Sequence, residues 1–376
     1  MFAVHIDTAE TWRGGQNQAL LTALGQQARG HRVILVAHPD GELRRRASEA
    51  IETVPIDAHG EIDLKAAWQL SRLLKGWQPD VVHAHDPHAV ALGALALSIG
   101  TPQSNPVLVA ARRVDFHIRD NAFSRWKYRQ VTCFIAASRA IAEMLAEDGI
   151  DQARIVTIHE GIDVERVQQA PRANIHQEFW LPAGVPVVGN IAALVAHKGQ
   201  KHLIDAAALV LRQVPDAHFL IFGEGELRAS LERQVKELHL EKHVLLPGFR
   251  TDVLSLLKAF DVFVMSSVTE GLGTSLLDAM AAARPIVATR AGGIPEVVID
   301  EETGLLVPIR DHERLAGAIV RLLKDRDLRE RLALAALDRV RAEFSVNRMV
   351  EQTIALYERL AGTGRAADSV RPGTGA

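Results

Sequence analysis

Short apolar runs rich in β-branched residues alternate along the chain with stretches where apolar residues recur every three or four positions. The short runs predict strands over 2–6, 32–37, 81–85, 107–111, 133–137 and 155–158, and again over 186–192, 218–222, 243–246, 261–265 and 285–288. The clearest helical pattern is 200–214, where Leu203, Ile204, Ala207, Val210, Leu211 and Val214 fall on one face. Strands alternating with helices predict parallel sheets covered on both faces. The alternation pauses at 164–185, which holds Pro171, Pro182 and Gly184 without a clear strand and reads as a linker. The expected organisation is therefore two Rossmann-like α/β domains, 1–168 and 169–345. A helical stretch at 346–361 carries Val350, Ile354, Tyr357 and Leu360 on one face, to be buried against either domain, the first included. Residues 362–376 read as a disordered tail.

Composition narrows the class. With 48% apolar and 24% charged residues in a chain of 376, two sizeable cores can be buried. A formal charge of −3 gives no global reason to expect nucleic acid as a partner. Cys133 is the only cysteine, so no intrachain disulfide forms. Its neighbours Val131, Phe134 and Ile135 make it a buried structural residue rather than a nucleophile. The sequence runs directly into a strand-like segment, with no basic stretch and apolar core of a signal peptide. The most apolar stretch, 89–99, is too short to span a bilayer, so the cytoplasm is the default compartment.

Ligands of open α/β sheets sit beyond the carboxyl ends of strands, and four loops fall there. Gly14 and Gly15 follow the first strand, where they admit close backbone approach or merely make a tight turn. Gly223-Glu224-Gly225 follows a strand but lacks the third glycine and the later acidic residue of a dinucleotide site, which disfavours NAD. Lys198, at the start of the helix 200–214, is electrostatically misplaced unless an anion is near; otherwise it is a solvated lysine. The most informative loop is Glu270-Gly271-Leu272-Gly273-Thr274-Ser275, which opens a helix carrying Asp278 one turn in from Thr274. Backbone amides between two carboxylates suit a diphosphate flanked by sugar hydroxyls. The plain alternative is a surface Glu270 and a first-turn Asp278 that complements the helix dipole.

Residues 268–289, VTEGLGTSLLDAMAAARPIVAT, resemble the signature of the retaining glycosyltransferases of family 4, with two acidic residues separated by seven others. Weaker matches follow in order: GGQ at 14–16, ARGHRV at 28–33, HAH at 83–85, AASRA at 136–140, EGID at 160–163, HKG at 197–199, GEG at 223–225 and AGGIPEVV at 291–298. The resemblance implies the GT-B fold, two Rossmann-like domains facing a cleft, and a nucleotide-diphosphate sugar donor, UDP-sugar favoured, with no other cofactor and no metal. It implies that Glu270 contacts the donor sugar, Asp278 the ribose, and Lys198 the diphosphate. The amides of Gly15, Gly273, Thr274 and Ser275 would help Lys198, with Gly14, Gly271 and Leu272 also at the donor. Gly223, Glu224, Phe249 and Arg250 would lie beside the donor, and His85 would face sugar and acceptor.

This chain departs from the family at three positions. Asp278 stands where glutamate is usual, Ala193 where an arginine often precedes the lysine by five residues, and Glu160 where asparagine is usual. His83 and His85 share one side of their strand, but no third metal ligand is evident. The Asp325-Arg326-Asp327 motif lies in a charged helical stretch and reads as surface.

On the acceptor side, segment 112–129 holds six Lys/Arg against two Asp, interleaved with Phe116, Phe123, Trp126 and Tyr128, and Arg44, Arg45 and Arg46 add a second basic cluster. Such a segment is either a membrane-surface site for a glycolipid or lipopolysaccharide-type acceptor at the inner membrane face, or a solvated helix with Trp126 packed inward. The rival functions are a nucleotide-sugar epimerase or hydrolase on the same fold, and a non-catalytic nucleotide-sugar-binding relative.

Overall fold

The structure, a computed structural model, describes residues 1–368. It divides into two compact units, Met1–Gly161 with the chain from Val346 onward, and Ile162–Ser345. The first unit contains β1 (Phe2–Asp7), β2 (Arg32–Ala37), β3 (Glu52–Pro55), β4 (Val81–Ala84), β5 (Val107–Arg112), β6 (Cys133–Ala136) and β7 (Ile155–Thr157). The second contains β8 (Val187–Ile191), β9 (His218–Phe222), β10 (Val244–Gly248), β11 (Val262–Met265), β12 (Ile286–Thr289) and β13 (Leu305–Val307).

Both sheets are parallel, ordered β3-β2-β1-β4-β5-β6-β7 and β10-β9-β8-β11-β12-β13. Strand order therefore reverses between β1 and β4 in one unit and between β8 and β11 in the other, which is where such sheets open a crevice. Helices cover both faces, so the central strands are shielded from solvent along their length: all of β1, β9 and β11 is buried.

The two strands missing from the sequence pattern, β3 and β13, are edge strands. β3 begins at Glu52 and ends at Pro55, and β13 spans only Leu305–Val307, so neither presents a long apolar run. The division falls at Gly161/Ile162 rather than at 168/169. The expected linker 164–185 contains helices Val164–Gln169 and Ile175–Glu178, each started by a side-chain cap, Asp163 and Asn174.

The C-terminal helix, Val346–Asp368, is part of the first unit. Its Met349, Val350, Leu356 and Tyr357 join a core with Ala3, Val81, Val109, Cys133 and Ile135. The expected tail at 362–376 is thus helical as far as Asp368, and residues 369–376 lie outside the described residues.

Candidate active site

In the second unit, the loops leaving β8 and β11 meet because those strands are neighbours. After β8 the chain makes a short turn, Ala196–Lys198, and reaches Gly199 at φ +66, a left-handed conformation. A Cβ at Gly199 would lie 2.1 Å from the Ser266 carbonyl oxygen, so only glycine lets the two loops close. Val268 N–H then donates to His197 O (2.7 Å), and the Ser266 hydroxyl to Lys198 O (3.1 Å).

These contacts bring Lys198 Nζ to 2.6 Å from Glu270 Oε2, which also accepts from the Ser267 hydroxyl at 3.0 Å. Both partners are largely sheltered, with side chains 20% and 10% exposed. Ser267 was not anticipated from the sequence. The loop 291–293 supports Glu270 from behind, where Gly293 N–H donates to Glu270 O (3.0 Å).

The helix Thr274–Ala281 starts beside this pair. Gly273, at φ +91, precedes it and no side chain caps it, so its first amides point outward without an intrahelical partner. Leu272 is a core side chain and contributes only its backbone. Asp278 lies half-buried on the same face as Thr274. Burial pushes its carboxyl up to about 7, against a weaker opposing pull from Arg166.

The loops after β9 and β10 also meet, with Gly223 N–H donating to Gly248 O (2.9 Å). A Cβ at Gly223 would lie 1.9 Å from Ala192 O and one at Gly225 2.4 Å from Leu194 O. These glycines answer to a close backbone rather than to a dinucleotide. Glu224 pairs with Arg228 (2.6 Å). Arg250 is committed to Asp252 through a two-pronged contact (2.7 and 2.6 Å) and to Glu178, while Phe249 is 64% exposed beside it.

In the first unit, Gly14 and Gly15 open the helix Gly14–Gln27, and Gly15 packs toward Arg113. Asp7, at the end of β1, accepts from Ala9 N–H (3.1 Å) and from the Gln16 side chain (3.1 Å). Burial and the neighbouring Asp86 carboxylate push it up to about 6.

His85 follows β4 and is buried with His83 and His5. His5 is the third histidine that the sequence did not reveal; it pairs in register with His83 across β1 and β4. Candidate ligand atoms of the three lie within 4.8 Å of one another. The lone pairs of His85 and His5 are already engaged, however. The Arg113 guanidinium donates to His85 Nδ1 (3.1 Å) and His85 Nε2 to His5 Nδ1 (2.8 Å), while Tyr357 Oη and His83 Nδ1 share a hydrogen bond (2.5 Å). A neutral imidazole has one lone pair, so this arrangement disfavours a metal at the cluster. Burial holds His5 down to about 4 and His83 and His85 well below their usual value, so all three are neutral.

The basic segment 112–129 is less available than its composition suggests. Lys127 is buried against Glu61 (3.0 Å) and Pro87 O, and Arg112 is buried and donates to Phe116 O. Trp126 packs inward against Phe123, with ring centroids 5.6 Å apart. Arg119, Arg125 and Arg129 remain exposed. The Asp325-Arg326-Asp327 motif is a helix start, where the Asp325 side chain accepts from Leu328 N–H (2.9 Å). Among the described residues, no helix is long and apolar enough to cross a membrane.

Comparison with known proteins agrees with this arrangement. Residues 171–339 match the family described as glycosyl transferases group 1, and residues 12–166 match glycosyltransferase family 4. A lipopolysaccharide core biosynthesis glycosyltransferase, LpsE, of Rhizobium meliloti (strain 1021) is 31% identical over 71% of this chain and 72% of its own length. A phosphatidyl-myo-inositol mannosyltransferase of Mycobacterium leprae (strain TN) is 27% identical over 93% of this chain and 94% of its own. Among solved structures, Anabaena Alr3699/HepE in complex with UDP superimposes with a TM-score of 0.82 at 21% identity, covering 96% of this chain and 100% of that one. The chain belongs to the family 4, group 1 glycosyltransferases of GT-B fold, and it is a transferase.

The state of Asp278 makes stability depend on pH. Its carboxyl titrates near 3.8 when unfolded and at about 7 when folded. The unfolded chain therefore loses this proton first, and stability falls as pH rises from about 4 to about 7, then levels. Asp278→Asn is expected to raise the melting temperature of the ligand-free protein at pH 8, with the gain shrinking toward pH 4. A gain that is equal at both pH values in circular-dichroism melts contradicts the assignment.

Proposed function

We propose that the protein moves a hexose-type sugar from a UDP-sugar to a glycan or glycolipid acceptor with retention of anomeric configuration. The observation that carries this reading is the Lys198–Glu270 pair beside an uncapped helix start, with Asp278 on the same helix. Breaking an anomeric bond to a nucleoside diphosphate leaves charge on the phosphate. Lys198 and the amides at 271–275 are suited to stabilise that charge. Glu270, released from Lys198, accepts hydroxyls of the donor sugar, and Asp278 accepts those of the ribose. No side-chain nucleophile is assigned.

UDP as the nucleotide is supported by the fold's likeness to Alr3699/HepE, solved with UDP and with UDP-glucose. A glycan or glycolipid acceptor is supported by relatives named for lipopolysaccharide core biosynthesis and for mannosylation of phosphatidyl-myo-inositol.

A second feature bears on where the acceptor is met. The Lys127–Glu61 pair ties the helix Ala122–Arg129 to the segment carrying exposed Ile62, Leu64 and Trp68, at 61%, 63% and 53% exposure. Exposed apolar side chains on one segment, and exposed Arg125 and Arg129 on the helix tied to it, suit an anionic membrane surface. The protein is proposed to work there as a peripheral enzyme.

Two tests follow. Lys198→Met and Glu270→Gln are each expected to lower transfer about a hundredfold or more in protein that still folds by circular dichroism, and transfer by the parent is expected to be unaffected by EDTA. Donor turnover at full rate without acceptor, or a strict divalent-metal requirement, contradicts the reading. For the membrane surface, co-sedimentation with anionic liposomes at low salt should fall when Leu64, Trp68 and Arg125 are replaced by serine. Equal sedimentation of the triple variant removes this surface from the account.

A further inference from the structure

In the first unit, four side chains form one directional hydrogen-bond chain. Arg113 Nη1 lies 3.1 Å from His85 Nδ1, His85 Nε2 lies 2.8 Å from His5 Nδ1, and His5 Nε2 lies 2.9 Å from Gln26 Oε1. The direction is set at one end, because a guanidinium only donates. His85 Nδ1 must then accept, its Nε2 carries the proton and donates to His5, and His5 Nε2 donates to the amide oxygen of Gln26. Tyr357, from the C-terminal helix, shares a hydrogen bond with His83 Nδ1 (2.5 Å), and the His83 ring packs on His85 with centroids 4.1 Å apart.

Both ring nitrogens of His85 are therefore committed inside the unit. The group at the outer end of the chain is Arg113. We infer that Arg113, rather than His85, contacts a phosphate oxyanion at the carboxyl edge of the first unit's sheet, and that His85, His5 and Gln26 are positioning residues that fix its guanidinium. The inference rests on the transferase reading given above.

The placement of Arg113 supports this. It is the residue after β5, at the carboxyl edge where ligands of such sheets bind. A Cβ on Gly15 would lie 3.9 Å from Arg113 Cδ, so the side chain runs against the glycine pair that opens the helix Gly14–Gln27. Its Nε lies 3.3 Å from Glu160 Oε1, and Asp7 adds further negative charge nearby. These two carboxylates keep the guanidinium charged despite burial. The contacts to Glu160 and His85 use only part of its donors, and the guanidinium fork matches phosphate oxygens. A cavity of about 20 Å³ beside Arg113, His83 and Glu160 admits no more than one water-sized group. A phosphate would therefore meet the guanidinium from outside this cavity.

The phosphate could belong to the donor diphosphate or to a phosphorylated acceptor, and one set of titrations separates them. Pyrophosphate, which carries the chemistry without base or sugar, is titrated into the full-length protein while NMR follows the Arg113 Nε–H and the imidazole nitrogens. Pyrophosphate is expected to shift the Arg113 resonance. Arg113→Met should weaken pyrophosphate about tenfold or more, and Arg113→Lys should recover part of the loss. Gln26→Leu should leave the fold intact by melting curve, move His5 and His85 out of single tautomers, and weaken pyrophosphate by a smaller factor. A parallel loss of UDP affinity in Arg113→Met assigns the site to the donor. Unchanged UDP affinity with a raised acceptor KM assigns it to an acceptor phosphate. If pyrophosphate neither shifts Arg113 nor distinguishes Arg113→Met from the parent, the inference is wrong. Absence of sugar transfer by the parent protein sinks the transferase reading instead, and the pyrophosphate titration still decides the role of Arg113.

Discussion

The contact between Lys198 and Glu270, at 2.6 Å, is the constraint on which the candidate active site depends. It joins loops 72 positions apart in sequence that leave neighbouring strands. It exists because Gly199 can take a left-handed conformation against the Ser266 carbonyl and because His197 O receives the Val268 amide. A sheltered ammonium and carboxylate are costly to separate unless each finds a new partner. On the proposed reading a sugar nucleotide supplies both, with a diphosphate for the lysine and hydroxyls for the glutamate. The pair thus holds the two loops in place, and on that reading it yields to a ligand of matching chemistry.

The two units solve the charge problem differently. In the second, opposite charges stand at the carboxyl edge, and one carboxyl, Asp278, is kept near neutrality by burial alone. In the first, three buried histidines stay neutral and form a polar core with Gln26 and Tyr357. That core ends on a cation, Arg113, whose carboxylate partner is Glu160. Buried hydrogen-bond networks rigidify what they hold, although here Gln26 Nε2 and His83 Nε2 have no hydrogen-bond partner among the described residues. The C-terminal helix takes part in it through Tyr357, so the last element of the chain supports residues on the first strand.

Much of the fold was legible because parallel sheets need strands that are apolar on both faces, and eleven such runs stand out along the chain. The edge strands β3 and β13 were not, since an edge tolerates Glu52 and Pro55 and needs little length. The places of Glu270, Lys198 and Asp278 at strand ends and a helix start were legible. The contact between Lys198 and Glu270 was not, because pairing across 72 residues leaves no local pattern. His5 sits in an unbroken buried strand and reads as core until its register with His83 is known. Lys127 shows the opposite error: counted as a surface charge, it is buried on Glu61. Arg113 was counted in the same basic run, and nothing in its spacing distinguishes a positioned guanidinium from a solvated one.

The most direct test of the central claim is a calorimetric titration of UDP, GDP, ADP and NAD into the parent protein and into Lys198→Met. The account predicts that a nucleoside diphosphate binds the parent, UDP foremost, and binds Lys198→Met about tenfold or more weakly, as loss of a charged hydrogen bond to phosphate requires. Equal nucleotide affinity in the two proteins, or binding of NAD alone, contradicts it.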